Sequence, residues 1–300
     1  MHDSDQAMTR SLVSNRRGLL RNAGLGSAFA AALTAAPGLG LLNASRAQAN
    51  GTASSDADIL NFALNLEYLE AEFYLRAVYG TGLATADING VGTTGSVTGG
   101  SAVPFKTPAL QAYAKSIAND EQAHVQFLRS ALGSAAVARP TIDLYNSFNT
   151  AAVAAGLVPA GGTFNPFADE LSFLLGSYIF EDVGVTAYHG AAALIQSKDY
   201  LTAAAGILAV EAYHAGSIRT LLYGLGQGDA TAKISALRAA ASGANDDQGV
   251  VFYGNANIAP TDQNALAFSR TTTQVLNIVY LGGASGNYGF FPQGLNGAIA

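Results

Sequence analysis

Two Glu-x-x-His pairs, Glu121 with His124 and Glu211 with His214, account for two of the three histidines that follow residue 49 of this 300-residue chain. Helical residues three apart lie one above the other on the same face, so each pair offers a carboxylate oxygen and an imidazole nitrogen to one point. A divalent metal ion suits that combination. Four of the chain's seven glutamates, Glu67, Glu121, Glu181 and Glu211, fall in apolar helical stretches, where an unliganded carboxylate is costly or must be protonated. Cysteine is absent, which removes disulfides, thiolate sites and iron–sulfur clusters and leaves oxygen and imidazole as the only ligands.

Those side chains need four long helices to carry them. Apolar periodicity places the first over about Asp58 to Tyr79, capped by Asp56 or Asp58, with Asn61, Asn65, Glu72 and Arg76 on one narrow polar face. Glu67 and Glu70 lie opposite that face, and the helical wheel does not choose between them. The second helix is expected from Pro108, suited to a first turn, to Leu132. A third runs from near Phe167 to about Ile195 and carries Glu181; a fourth runs from Asp199 to Tyr223 and carries the second Glu-x-x-His. Residues 80–104 read as a Gly/Thr/Ser-rich loop. Residues 135–167, with Pro140, Pro159 and Pro166 and a short helix expected over Ile142 to Ala155, are long enough to cross between two helix pairs.

The halves repeat. Glu67 is followed seven residues later by Tyr74, Glu181 seven residues later by Tyr188, and each half closes with Glu-x-x-His. The expected fold class is therefore all-α: a pseudo-two-fold four-helix bundle over 56–225, and an extension over 226–300 packing on it through helices near Ala230 to Ala241 and Phe268 to Tyr280. Tyr74 and Tyr188 are either redox groups near the site or core residues with bonded hydroxyls. His189 is a further imidazole ligand or a hydrogen-bonded support, and Glu70 an extra ligand or the acid that bonds a ligating histidine.

Ahead of the bundle, Ser14-Asn15-Arg16-Arg17-Gly18-Leu19-Leu20 resembles the twin-arginine export motif, with an Ala/Gly/Leu stretch and the small-residue site Ala47-Gln48-Ala49 after it. Pro37 and several glycines interrupt that stretch, which argues against a stable membrane span. The expected location is periplasmic or secreted, with the twin-arginine export machinery as a partner. Residues 50–300 hold ten Lys and Arg against nineteen Asp and Glu, a net charge of −9 that disfavours nucleic acid.

The segments Asp58-Ile-Leu-Asn-Phe-Ala-Leu-Asn-Leu-Glu-Tyr-Leu-Glu-Ala-Glu-Phe-Tyr74, Glu181-Asp-Val-Gly-Val-Thr-Ala-Tyr-His-Gly190 and Glu211-Ala-Tyr-His214 resemble the ferritin-like family that includes desiccation-related proteins of plants and bacteria. Ile258-Ala-Pro-Thr-Asp262 and Gly289-Phe-Phe-Pro-Gln-Gly294 resemble that subgroup rather than cage-forming ferritins. The resemblance implies a ferritin-like bundle holding two Fe or Mn ions on Glu67, Glu121, His124, Glu181, Glu211 and His214, with Glu67 favoured over Glu70 by the Glu-to-Tyr spacing of seven. It implies a protein that reacts with O2 or peroxide in oxidative or desiccation stress, as a ferroxidase or a manganese-catalase-like oxidoreductase. The alternative is a non-catalytic stress or structural protein, self-associating as a homo-oligomer, whose metal site is structural or vestigial.

Overall fold

Ser55 starts the first helix with a reciprocal cap: its Oγ accepts from the Asp58 backbone N–H at 3.2 Å, and its own N–H donates to Asp58 Oδ2 at 2.9 Å. The cap is thus Ser55, where Asp56 or Asp58 was expected. The computed structural model describes residues 54–282 and 289–300, so the expected export signal lies outside the described residues. In chain order the elements are α1 (Asp56–Tyr79), β1 (Val97–Thr98), α2 (Pro108–Leu132), β2 (Ile142–Asp143), α3 (Asn146–Ala154), α4 (Glu170–Ala192), α5 (Lys198–Gly224), α6 (Gly228–Ser242), β3 (Val251–Phe252), β4 (Asn255–Ala256) and α7 (Thr272–Val279). The protein is mostly helical, as the sequence implies, and among the described residues no helix is long and apolar enough to cross a membrane.

α1 packs along α2 and α4 along α5. Two matched clasps join the pairs. Asp56, in the first turn of α1, accepts from the backbone N–H groups of Gln196 and Ser197 at the start of α5, at 2.8 and 2.9 Å. Glu170, in the first turn of α4, accepts from Lys106 and Thr107 ahead of α2, at 2.7 and 2.6 Å. Each clasp satisfies amides near a helix start, where they lack intrahelical partners, and together they obey the pseudo-two-fold relation of the halves.

The crossover differs from expectation at its start. Ile142 and Asp143 form β2, paired in parallel with β1, and the short helix begins only at Asn146. Asp143 sets that boundary: its carboxylate accepts from the Tyr145 and Asn146 N–H groups at 2.8 Å each, holding a turn where helix would otherwise begin. The polar face of α1 also departs from a solvated stripe, because Asn61, Asn65 and Glu72 are all buried. Asn61 bonds the Ala135 carbonyl and the Val137 N–H at 3.0 Å, Asn65 bonds the Asn296 carbonyl at 2.8 Å, and Glu72 pairs with Arg76 and Arg139. α1 is therefore enclosed on every side, its polar stripe serving as the seam for the crossover and the C-terminal end.

The extension completes the core. Phe290 packs edge-on against Phe148 and Phe180, ring centroids 5.1 and 5.0 Å away, inside an aromatic cluster centred on Phe73. Ile278 and Val279 of α7 are buried in the same core. Arg270 reaches back to α4, donating to Thr186 Oγ1 at 3.0 Å.

Candidate metal centre

Each half delivers its glutamate from the first helix and its Glu-x-x-His from the second, and all of these meet between the four helices. Glu67, Glu121, His124 and Glu211 form one group whose ligand-type atoms lie within 4.8 Å of one another; Glu121, Glu181, Glu211 and His214 form a second by the same measure. The groups share Glu121 and Glu211. His124 Nδ1 stands 3.2 Å from Glu67 Oε2, 3.4 Å from Glu121 Oε2 and 3.5 Å from Glu211 Oε1. His214 Nδ1 stands 2.9 Å from Glu121 Oε1 and 3.6 Å from Glu181 Oε2.

Apart from His124 Nδ1 and Glu67 Oε2, which are hydrogen-bonded, proximity here is not hydrogen bonding. Both oxygens of Glu121 and of Glu211, Oε2 of Glu181 and Nδ1 of His214 are buried without a hydrogen-bond partner, although His214 Nδ1 is only 2.9 Å from Glu121. Their lone pairs converge on shared points instead of aiming at one another, which is the arrangement a cation needs. Atoms within 4.8 Å of one another come close to fitting one ion with bonds of about 2.0–2.2 Å.

The electrostatics show what occupies those points when no cation does. Burial pushes Glu67 up to about 7 against the opposing pull of His124, and Glu181 up to about 8 against His214. Glu211 and Glu70 are pushed well above the carboxylate range by burial and by neighbouring carboxylates. Glu121 is the exception, since burial raises it but contacts with His124 and His214 hold it at about 2. Burial opposes charge on His214, yet Glu181 and Glu121 push it up to about 10, and His124 is raised further by Glu67.

The tyrosines bond across the pseudo-two-fold. Tyr74 of the first half donates to Glu181 of the second, and Tyr188 of the second half to Glu67 of the first. Each first-helix carboxylate thus has one oxygen held by a tyrosine; the other is without a hydrogen-bond partner in Glu181 and faces His124 Nδ1 at 3.2 Å in Glu67. Glu70 and His189 belong to neither metal-binding group. His189 is half-buried and holds the Phe268 carbonyl, 3.1 Å from its Nδ1. Among the described residues no hydrogen bond joins Glu70 to either histidine; Asp120, whose Oδ2 is 3.2 Å from His214 Nε2, does that work. The Asp120 side chain is 47% exposed and marks the site's polar edge.

Sequence reasoning missed two features besides Asp120. An arginine follows each Glu-x-x-His after four further residues, giving Glu121–Arg129 and Glu211–Arg219 as matched pairs. Arg129 bonds the Tyr68 hydroxyl at 2.6 Å and Arg219 bonds Asp182 at 2.7 Å, so each arginine grips the residue after the other helix's site glutamate. The longer motif, Glu-x-x-His-x4-Arg, was readable twice. Gly184 is the second: within a helix it costs about 0.5–1 kcal/mol relative to alanine, yet a Cβ there would sit 2.4 Å from Glu211 Oε2. The glycine keeps that carboxylate in place.

Comparison with known proteins agrees with this geometry. Residues 55–224 match the ferritin-like domain family. Ferritin-like catalase Nec2 of Nesocodon mauritianus is 31% identical over 277 residues, 84% of this chain and 86% of that protein. Desiccation-related protein PCC13-62 of Craterostigma plantagineum is 31% identical over 246 residues, 74% of this chain and 76% of that protein.

Proposed function

The chain belongs to the ferritin-like domain family, and from that premise we propose that it is an exported protein that holds two Fe or Mn ions and reacts with hydrogen peroxide or O2 under oxidative or drying stress. The observation that carries this reading is the pair of overlapping four-residue groups with their partnerless, converging oxygens. Glu121 and Glu211, which belong to both groups, would be shared by the two ions, with Glu67 and His124 holding one and Glu181 and His214 the other. Four ionised carboxylates would balance two divalent cations, while burial and the neighbouring carboxylates push Glu70 well above the carboxylate range. When bound, the ions supply the paired redox equivalents that a dioxygen substrate requires.

The chain's own residues hold the reacting space in order. Tyr74 and Tyr188 fix the first-helix carboxylates, Asp120 orients the His214 ring, and the apolar flanks of α1 and α4 keep bulk water out. The name of the first relative supports peroxide as the oxidant, with two molecules converted to two of water and one of O2; the name of the second supports a role in drying. Export is proposed from the twin-arginine pattern at Arg16-Arg17. The test is metal content by element-resolved mass spectrometry, followed by O2 release from peroxide and Fe2+ oxidation with the loaded protein. About two Fe or Mn per chain with turnover above that of the free ions is expected; protein from its native compartment carrying neither metal would instead indicate a non-catalytic stress protein.

Proton release follows from the same site. Loading requires neutral imidazoles and ionised carboxylates, whereas in the metal-free cluster burial raises Glu181 to about 8 and Glu211 well above the carboxylate range, and the facing carboxylates raise His214 to about 10 and His124 as well, all favouring the protonated forms. Because these groups are raised, lowering the pH favours the metal-free form and raising it favours uptake. Apparent affinity is expected to fall by about tenfold or more per unit from pH 8 to pH 6. Calorimetry in two buffers of different ionisation enthalpy checks this, and an affinity flat across that range would contradict it.

A further inference from the structure

We infer that the C-terminal extension builds a chamber for a small neutral oxidant with an O–O bond, hydrogen peroxide or O2, against the face of the centre formed by Glu70, Gly184 and Glu211. The inference rests on reading the site as a metal centre. A cavity of about 20 Å³ lies between α1, α4 and the extension, with Leu69, Glu70, Val183, Gly184, Ile278 and Phe290 among its lining. Its walls are apolar except for Glu70. Room for one water-sized molecule takes about 10–15 Å³, so the space suits a molecule of two heavy atoms, such as O2 or hydrogen peroxide, rather than a bulky organic peroxide.

Gly184 lies beside both this chamber and the centre. It lines the cavity, and a Cβ at that position would lie 2.4 Å from Glu211 Oε2 and 3.4 Å from Glu70 Oε1, so the cavity wall at this glycine adjoins a buried, partnerless carboxylate oxygen. A hydrated cation would lose its water shell against such walls without compensation. Cations instead have the polar edge at Asp120, next to His214. Ile278 and Val279 of α7 and Phe290, all contributed by the extension and all buried, line the side of the chamber away from the centre, so a four-helix bundle alone would lack that wall.

The experiment uses the loaded full-length protein, wild type and Ile278→Phe, a position outside the metal-binding groups. Crystals of both are pressurised with xenon, a probe of apolar cavities, and second-order rates with hydrogen peroxide and with O2 are measured separately. Xenon is expected in the wild-type chamber and absent from Ile278→Phe, whose rate with the true substrate falls about tenfold at unchanged metal content. The oxidant whose rate drops identifies the occupant. Ile278→Ala provides the converse: widening the wall should raise the rate with tert-butyl hydroperoxide about tenfold, and it decides the matter alone if Ile278→Phe does not fold. No xenon in the wild-type chamber, or rates indifferent to residue 278 in loaded, reactive protein, overturns the chamber. Wild-type protein that binds no metal overturns the metal-centre reading itself, which the xenon result does not touch.

Discussion

Glu121→Gln protein is expected to lose both metals at once, whereas Glu67→Gln and Glu181→Gln should each retain about one ion per chain. The asymmetry comes from geometry. Glu121 belongs to both metal-binding groups, with Oε2 3.4 Å from His124 Nδ1 and Oε1 2.9 Å from His214 Nδ1, so neutralising it withdraws an anionic oxygen from each position. Glu67 and Glu181 belong to one group apiece. Glutamine keeps the volume and removes the charge, so the fold should survive while the repulsion between two cations goes unscreened. Turnover of peroxide is expected to drop to background in Glu121→Gln and in both single-site variants, because paired redox chemistry needs two ions. Element-resolved mass spectrometry on dialysed proteins, with circular dichroism as the folding control, reads the series. Equal loss from all three variants would mean that the positions are not separable and that the bridging assignment is wrong.

That site could be located from the sequence because rare residues recur there. Glu-x-x-His occurs twice in a chain with seven glutamates and few histidines, and the structure brings Glu67, Glu121, His124, Glu181, Glu211 and His214 to one place. α2 was legible to its ends, since Pro108 suits a first turn and Gly133 follows the last periodic residue. What failed was long-range. A polar stripe reads the same whether it faces water or a distant polar segment, and Asn65 meets Asn296, 231 residues away. Asp120 escaped notice because it supports His214 from another helix, a relation without a sequence interval. The extension was legible as elements, since helices expected near Ala230 to Ala241 and Phe268 to Tyr280 appear as α6 and α7, but not as contacts: Phe290 meets Phe148 of α3 and Phe180 of α4, partners that no sequence interval names. Local period predicts elements; it does not say which partner covers each face.

Asp182→Ala is expected to destabilise the protein by about 3–5 kcal/mol, although Asp182 lies outside both metal-binding groups. Its carboxylate, one residue past Glu181, is buried and accepts from Arg219 at 2.7 Å and from Arg238 at 2.8 Å. Arg238 also pairs with Asp247 at 2.7 Å, Asp247 with Arg270 at 2.8 Å, and Arg270 with Asp246 at 2.9 Å. Three guanidinium groups and three carboxylates thus alternate from α4 and α5 into the extension, in surroundings that admit almost no water. Such a chain need not add much stability over an apolar packing of equal volume, but removing one member leaves buried charges uncompensated. Without Asp182, Arg219 keeps only the Tyr178 hydroxyl and the carbonyls of Gln248, Gly249 and Asn257. Arg238 keeps Asp247 and backbone oxygens of α4. At about 2–4 °C per kcal/mol for a domain of this size, Tm should fall by roughly 10 °C. The double variant Asp182→Ala/Arg219→Met should be less destabilised than the sum of the two single changes, by about 1 kcal/mol or more, since the second change removes a charge the first stranded. Denaturant titration of the four proteins measures this coupling; additive effects, or a loss below about 1 kcal/mol for Asp182→Ala, would show that the ionic chain does not fasten the extension to the bundle.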